Sequence, residues 1–251
     1  MNAARHSIME GTKWVNPYVT DGLIAMYDGI WNAGPGRHSA ATQRWANLGS
    51  LGHDYDAIRA TQGEFRDDGA VFVRDNDYHA FKTVPNDLLA KHLRGEWSYE
   101  VVFTPGKGWR SNYSGVIGAH NSVQKGIVGG QYENGTVSFT LYAPDVPLYK
   151  KAATSFATGV PVAISQAASN TVRTATTWRD GVVVSRKSGV NVNLTIADVF
   201  CIGAAFSTET AYGQRTFDGV IHCVRLYNRP LTETDVAKNR VMDKARFNLT
   251  D

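Results

Sequence analysis

Cysteine is nearly missing from this chain: Cys201 and Cys223 are the whole supply in 251 residues. Two thiols cannot build a disulfide framework or a four-ligand zinc site. Each lies in an apolar run, which predicts buried free thiols. A single bridge between neighbouring strands stays open and needs Cα atoms within about 7 Å. Long apolar runs are absent too. No stretch approaches the roughly 20 residues of a membrane-spanning helix. Residues 1–14 carry charge and lack an apolar core of about 7–15 residues, so they do not read as a secretory signal. There is no strong excess of one charge: 26 Lys and Arg stand against 23 Asp and Glu, a formal net of +3. The basic residues are scattered, and their densest stretch, 179–187, is broken by apolar and small residues, which argues against a nucleic-acid partner. Nucleophile-elbow, Walker, His-Glu-x-x-His and Cys-x-x-Cys motifs do not occur. The histidines at 6, 38, 53, 79, 92, 120 and 222 have no ligand-like spacing.

What the chain does have is glycine, aromatics and turns. Hydrophobic residues at 43% and aromatics at 11% suffice for one sizeable core, and 24 glycines favour tight turns between strands. Residues 1–18 read as a leader ending at the Asn16-Pro17 turn, a segment suited to tether the protein or to pack between subunits. Residues 19–251 read as one domain. Short strands are expected at 22–27, 70–74, 97–103, 114–119, 126–132, 137–142, 160–165, 171–178, 182–186, 199–204 and 219–227. Residues 45–54 read as turn-rich. Asn134-Gly135 and Asp180-Gly181 mark hairpins, because type I′ turns need positive φ at both central residues. Turn signals every 8–15 residues suggest an all-β sandwich or barrel. One helix is expected at the end, with Thr232 as its cap, Glu233 and Asp235 in its first turn and Asn239 or Asn248 as its stop. Residues 86–93 suit a short helical turn.

Three stretches of the last third carry a family resemblance: the hairpin Trp178-Arg179-Asp180-Gly181-Val182-Val183-Val184, the strand Phe200-Cys201-Ile202-Gly203-Ala204, and residues 217–232, a closing strand that turns into a short helix. Upstream, residues 45–54 and the strand at 97–103 fit the same order. The chain resembles the concanavalin A-like lectin/glucanase superfamily and its laminin-G-like branch. The resemblance implies a two-sheet antiparallel β-sandwich, a jelly roll with a short C-terminal helix. The opening residues 18–29 are similar to those of laminin-G-like proteins encoded among tail genes of phages and prophages of gut bacteria. That likeness implies a phage tail or virion-associated setting, extracellular without a signal peptide, with other virion proteins as partners and a homo-oligomer as an open possibility.

The fold hosts lectins, adhesion modules, hydrolases and lyases, so function must come from sites. Glycosidases of the superfamily carry a Glu-x-Asp-x-Glu run, which places carboxylates on one strand face. Here Glu96 and Glu100 approach it, but Ser98 stands between them, and the pair reads as two solvent-facing charges on a core strand. His222 reads as a satisfied strand histidine. The chain is therefore expected to bind a cell-surface glycan or bacterial surface polysaccharide without cleaving it; the alternatives are a virion decoration protein and a polysaccharide hydrolase or lyase. Sugars stack on aromatic faces beside hydrogen-bonding side chains. Two loops offer that combination: Trp109, Arg110, Asn112 and Tyr113 in one, Asp28, Trp31 and Asn32 in the other. Tyr149 and Tyr212 are further loop aromatics, whereas Trp14, Trp45, Trp97 and Trp178 read as core. No cofactor is required. The resemblance leaves Ca²⁺ open, with Asp75 and Asp77 as carboxylates that suit it.

Overall fold

Residues 96–105 alternate apolar and polar side chains, and that period of two decides the central strand. Trp97, Tyr99, Val101 and Phe103 enter the main core, while Ser98, Glu100, Val102 and Thr104 take the opposite face. The structure, a computed structural model, describes residues 9–10, 13–73, 80–107, 115–120, 126–133, 136–142, 152–153, 156–192, 199–205 and 216–250. In chain order the elements are β1 (Met9–Glu10), β2 (Lys13–Trp14), β3 (Leu23–Asp28), β4 (Ala41–Trp45), β5 (Ala57–Arg66), β6 (Gly69–Phe72), β7 (Phe81–Thr83), α1 (Leu88–His92), β8 (Glu96–Pro105), β9 (Ile117–His120), β10 (Gly126–Glu133), β11 (Thr136–Tyr142), β12 (Ala152–Ala153), β13 (Val162–Ser169), β14 (Thr174–Arg179), β15 (Val182–Ser188), β16 (Cys201–Ile202), β17 (Gly219–Tyr227) and α2 (Glu233–Phe247).

All the described strand pairings are antiparallel. One layer runs β15-β14-β13-β8-β17-β3, the other β12-β11-β10-β9-β16-β7-β5-β6 with β4 beside β5. β17 is the seam. It pairs with β8 along one edge; on the other, its first residues meet β6 and its later ones meet β3. The jelly-roll sandwich expected from the sequence is the observed fold. The main core lies between the layers, where Trp45 packs edge-on against Tyr27, Phe65 and Phe81. A second apolar cluster lies on the outer face of the first layer, under α2, and joins Tyr18, Val102, Trp178, Cys223, Val236 and Phe247. Each large side chain buried this way contributes about 1.5–3 kcal/mol.

The local chemistry follows the sequence at several points. Asp180 and Gly181 both have positive φ in the β14–β15 hairpin. Thr232 caps α2 in a capping box with Asp235, and Asn248 ends it in the left-handed region. Cys201 and Cys223 are buried free thiols. After the leader, four strands were not expected: β4, β5, β7 and the two-residue β12. The ten residues of β5 are rich in polar groups and include Gly63, so they lack a period-two pattern; pairing with β4 on one side and with β6 and β7 on the other makes them a strand. The leader also holds structure, since β1 and β2 pair as a ribbon. Its last residue, Tyr18, is buried in the cluster under α2. No helix among the described residues is long and apolar enough to cross a membrane.

Candidate functional site

The outer face of the first layer carries most of the buried charge. Arg225 on β17 donates to Glu100 of β8 at 3.0 Å and through both terminal nitrogens to Asp243 of α2 at 2.7 and 2.6 Å. Glu100 also accepts from Ser165 and Asn239. Its carboxyl is pushed above the ordinary carboxylate range by burial, which the Arg225 charge only partly opposes. Burial alone would lower Arg225, but Asp243 and Glu100 outweigh it and raise it. Glu100 is thus not the solvent-facing charge expected from the sequence. It is 3% exposed and pins the helix to the sheet, out of reach of a substrate. Glu96, four residues earlier, accepts from Ser169 and Thr171. Burial alone would raise it, and those hydrogen bonds hold it below the ordinary range.

The loop after β3 is likewise structural, which corrects the sugar-binding role expected for it. Asp28 is fully buried, accepts from the amides of Ile30 and Trp31, and pairs with Arg246 of α2. The Arg246 guanidinium lies 4.4 Å from the Trp31 ring centre and takes the face that a sugar would need. Asn32 is also buried and exchanges hydrogen bonds with the backbone of Ser39 at 2.7 and 2.8 Å. Polar residues in a Gly-rich segment suggested a wet loop; a cation 218 residues away turns it inward.

Two clefts are lined by described residues. The first, of about 320 Å³, lies between β13, β14 and the start of α2, and Ala167, Ser169, Thr176, Trp178 and Leu231 are among its lining residues. Trp178 is 3% exposed, so little ring face is available for stacking, and its indole nitrogen has no hydrogen-bond partner among the described residues. Exposed Arg186 and Glu233 pair at its rim at 2.7 Å.

The second cleft is larger, about 470 Å³, within the range of small-ligand sites. Val71, Phe72 and Val73 line it from β6 onward, Thr104 to Lys107 from the end of β8, and Thr158, Asp218 and Val220 from the remaining sides; Arg66 stands at its edge. Thr104 does not stand alone. Its hydroxyl is 2.7 Å from Nε2 of His222, and Nδ1 of that ring is 2.8 Å from the carbonyl oxygen of Asp68. A carbonyl only accepts, so Nδ1 carries a proton directed at Asp68, and Nε2 shares a hydrogen bond with the Thr104 hydroxyl. That bond fixes where the Thr104 hydroxyl stands in the cleft. His222 is the satisfied strand histidine that the sequence suggested, held by this relay and stacked on Phe247.

This second cleft is also where two sequence candidates begin. Val73 directly precedes residues 74–79, which hold Asp75 and Asp77. Lys107 directly precedes residues 108–114, which hold Trp109, Arg110, Asn112 and Tyr113. Those six residues, like Tyr149 and Tyr212, lie outside the described residues. Among the described residues no three His, Cys, Asp or Glu side chains are grouped to hold a metal ion. Sequence reasoning missed Arg66 and Thr104; the Pro105-Gly106 turn was the only signal that β8 ends beside an opening.

A protein-family model described as Laminin_G_3, of the concanavalin A-like lectin/glucanases superfamily, matches residues 76–237, more than half of the chain. The chain belongs to this family. A search of curated protein sequences gave no significant match. Among solved structures, the laminin-G-like chain is similar to domain 4 of AbnA, a GH43 extracellular arabinanase from Geobacillus stearothermophilus, in complex with arabinotriose. The identity is 15% and the TM-score 0.56, over 87% of this chain and 97% of that one. It is also similar to Trypanosoma rangeli sialidase in complex with 2,3-difluorosialic acid, with 18% identity and a TM-score of 0.62 over 92% of this chain and 34% of that one. The laminin-G-like chain therefore spans about a third of the sialidase's length. At these identities the likeness shows the fold.

Proposed function

We propose that this laminin-G-like chain is a non-catalytic carbohydrate-binding module whose site is the cleft between β6 and the end of β8. One observation carries the reading: a cleft of ligand size with a hydroxyl held in place by a buried histidine is lined by the residues directly before segments 74–79 and 108–114. In this reading Trp109 and Tyr113 supply ring faces, Arg110 and Asn112 supply polar contacts, and Asp75 with Asp77 offers oxygens to a Ca²⁺ ion. Similarity over nearly the whole of an arabinanase domain solved with arabinotriose supports the ligand class. The burial of Glu100 in an ion-paired network supports binding over cleavage. The opening at residues 18–29 supports a virion-associated, extracellular setting in which surface glycans of bacteria are the targets and other virion proteins, or copies of this chain, are neighbours.

The test is binding of the full chain to a panel of glycans and bacterial surface polysaccharides, with calcium and then with chelator. Saturable binding to one class is expected, weakened at least about tenfold by Trp109→Ala with Tyr113→Ala. Silence across a panel that includes host-wall polymers would reject the reading in favour of a structural virion role. Release of reducing ends or unsaturated sugars would reject its non-catalytic part.

A further inference from the structure

The charges around the β6–β8 cleft are unevenly committed. On the acidic side, Asp68 is turned to His222, with a carboxylate oxygen 3.8 Å from Nδ1. The Asp218 carboxyl lies against the backbone at Gly106, where a side chain at that position would collide with it, and the Asp218 carbonyl accepts from the Gly106 amide at 2.8 Å. The cations differ. Arg66 and Lys107 both line the cleft, both are exposed, and neither has a hydrogen-bond or ion-pair partner among the described residues. Other arginines of the chain are spoken for: Arg44, Arg186, Arg225, Arg229, Arg240 and Arg246 each pair with an Asp or Glu. Two unpaired cations at one cleft are a place for an anion. Thr104, whose hydroxyl is hydrogen-bonded to His222, and Thr158 add hydroxyl groups that exchange hydrogen bonds with a ligand's hydroxyl groups.

We infer that the cleft is selective for an acidic saccharide, its carboxylate or sulfate group held by Arg66 and Lys107 and its hydroxyl groups by Thr104 and Thr158. This rests on the carbohydrate-binding reading above and names the ligand class for the same site. A free sulfate ion supplies no hydroxyl donors and meets only half of the cleft.

The experiment measures binding of the full chain to three polymers: polygalacturonate, dextran sulfate and neutral dextran. Proteins compared are the parent, Arg66→Gln with Lys107→Gln, and a control of equal charge change at exposed sites elsewhere, Lys187→Gln with Lys238→Gln. All four side chains are exposed, and thermal melts verify that both doubles fold. Saturable binding to at least one acidic polymer is expected, carboxylated and sulfated arms telling the two groups apart. The cleft double should weaken it at least about tenfold and flatten its salt dependence, while the control double leaves both unchanged. Equal weakening by the two doubles would reduce the effect to general charge attraction and overturn the inference. Binding of neutral glycans only would overturn it and leave the carbohydrate reading standing. Binding to no glycan of any kind would remove both.

Discussion

Replacing Arg225 with methionine tests the buried network under α2. The parent places one guanidinium between two carboxylates, Glu100 at 3.0 Å and Asp243 at 2.6 Å, with all three side chains at most 3% exposed. Methionine fills similar volume without charge, so the loss is electrostatic more than steric. Removing one partner of a buried pair costs about 3–5 kcal/mol, because the remaining charge is neither solvated nor paired. The loss must also depend on pH. Glu100 is already above the ordinary range through burial, and Arg225 is the neighbour that restrains it; without that cation its folded pKa rises further. For an acid raised on folding, stability is fully present below the unfolded pKa and is lost as pH rises through the folded one. The variant should therefore lose about 3–5 kcal/mol near pH 7 and recover at least about 1 kcal/mol of it by pH 5. Urea unfolding followed by tryptophan fluorescence at the two pH values gives both numbers. Adding Glu100→Gln and Asp243→Asn to Arg225→Met should restore most of the stability, since no charge is then stranded. A loss under about 1 kcal/mol, or one of equal size at both pH values, would refute the reasoning.

Two further outcomes concern local geometry. Burial alone would raise Asp235, but Arg229 and the Thr232 cap outweigh it and hold it at about 2. That carboxylate contributes about 2 kcal/mol above pH 4, lost as pH falls through about 2. Thr232→Ala should cost about 1 kcal/mol at pH 7 and leave a shallower acid limb in a melting-temperature profile; an unchanged limb would contradict the capping box. Gly203 has φ +91°, and a side chain there would enter the Phe72 ring. Gly203→Ala should therefore cost about 3 kcal/mol by chemical denaturation, and a neutral result would show that β6 can shift.

The fold was legible where local chemistry and periodicity agree. Residues 219–227 read as a strand, the closing one of the family resemblance that exits into the turn before the helix, and the structure returns those bounds. Asp180-Gly181 and Thr232 act through the next few residues, so their roles were visible too. β5 was not, because its pairing comes from strands on both sides and its own residues carry no pattern. The same limit governs the site. Asp28 and Glu100 look like surface acids until Arg246 and Arg225 arrive from more than 100 positions away. Burial of a charge is a property of the pair, and only one member stands in any local window. Arg66 was invisible for the converse reason: nothing in sequence says that a cation lacks a partner.

The position of α2 bears on how the chain is made. Asp28 and Glu100 are synthesised before their cationic partners Arg246 and Arg225, which follow them by 218 and 125 residues. Until those emerge, the outer face of the first layer holds acids without their cations and an apolar cluster without its lid. A ribosome-bound chain thus has every reason to keep that face hydrated and open. Helix α2 does more than cover a finished sandwich: its arrival supplies the partners that let the outer face of the first layer close.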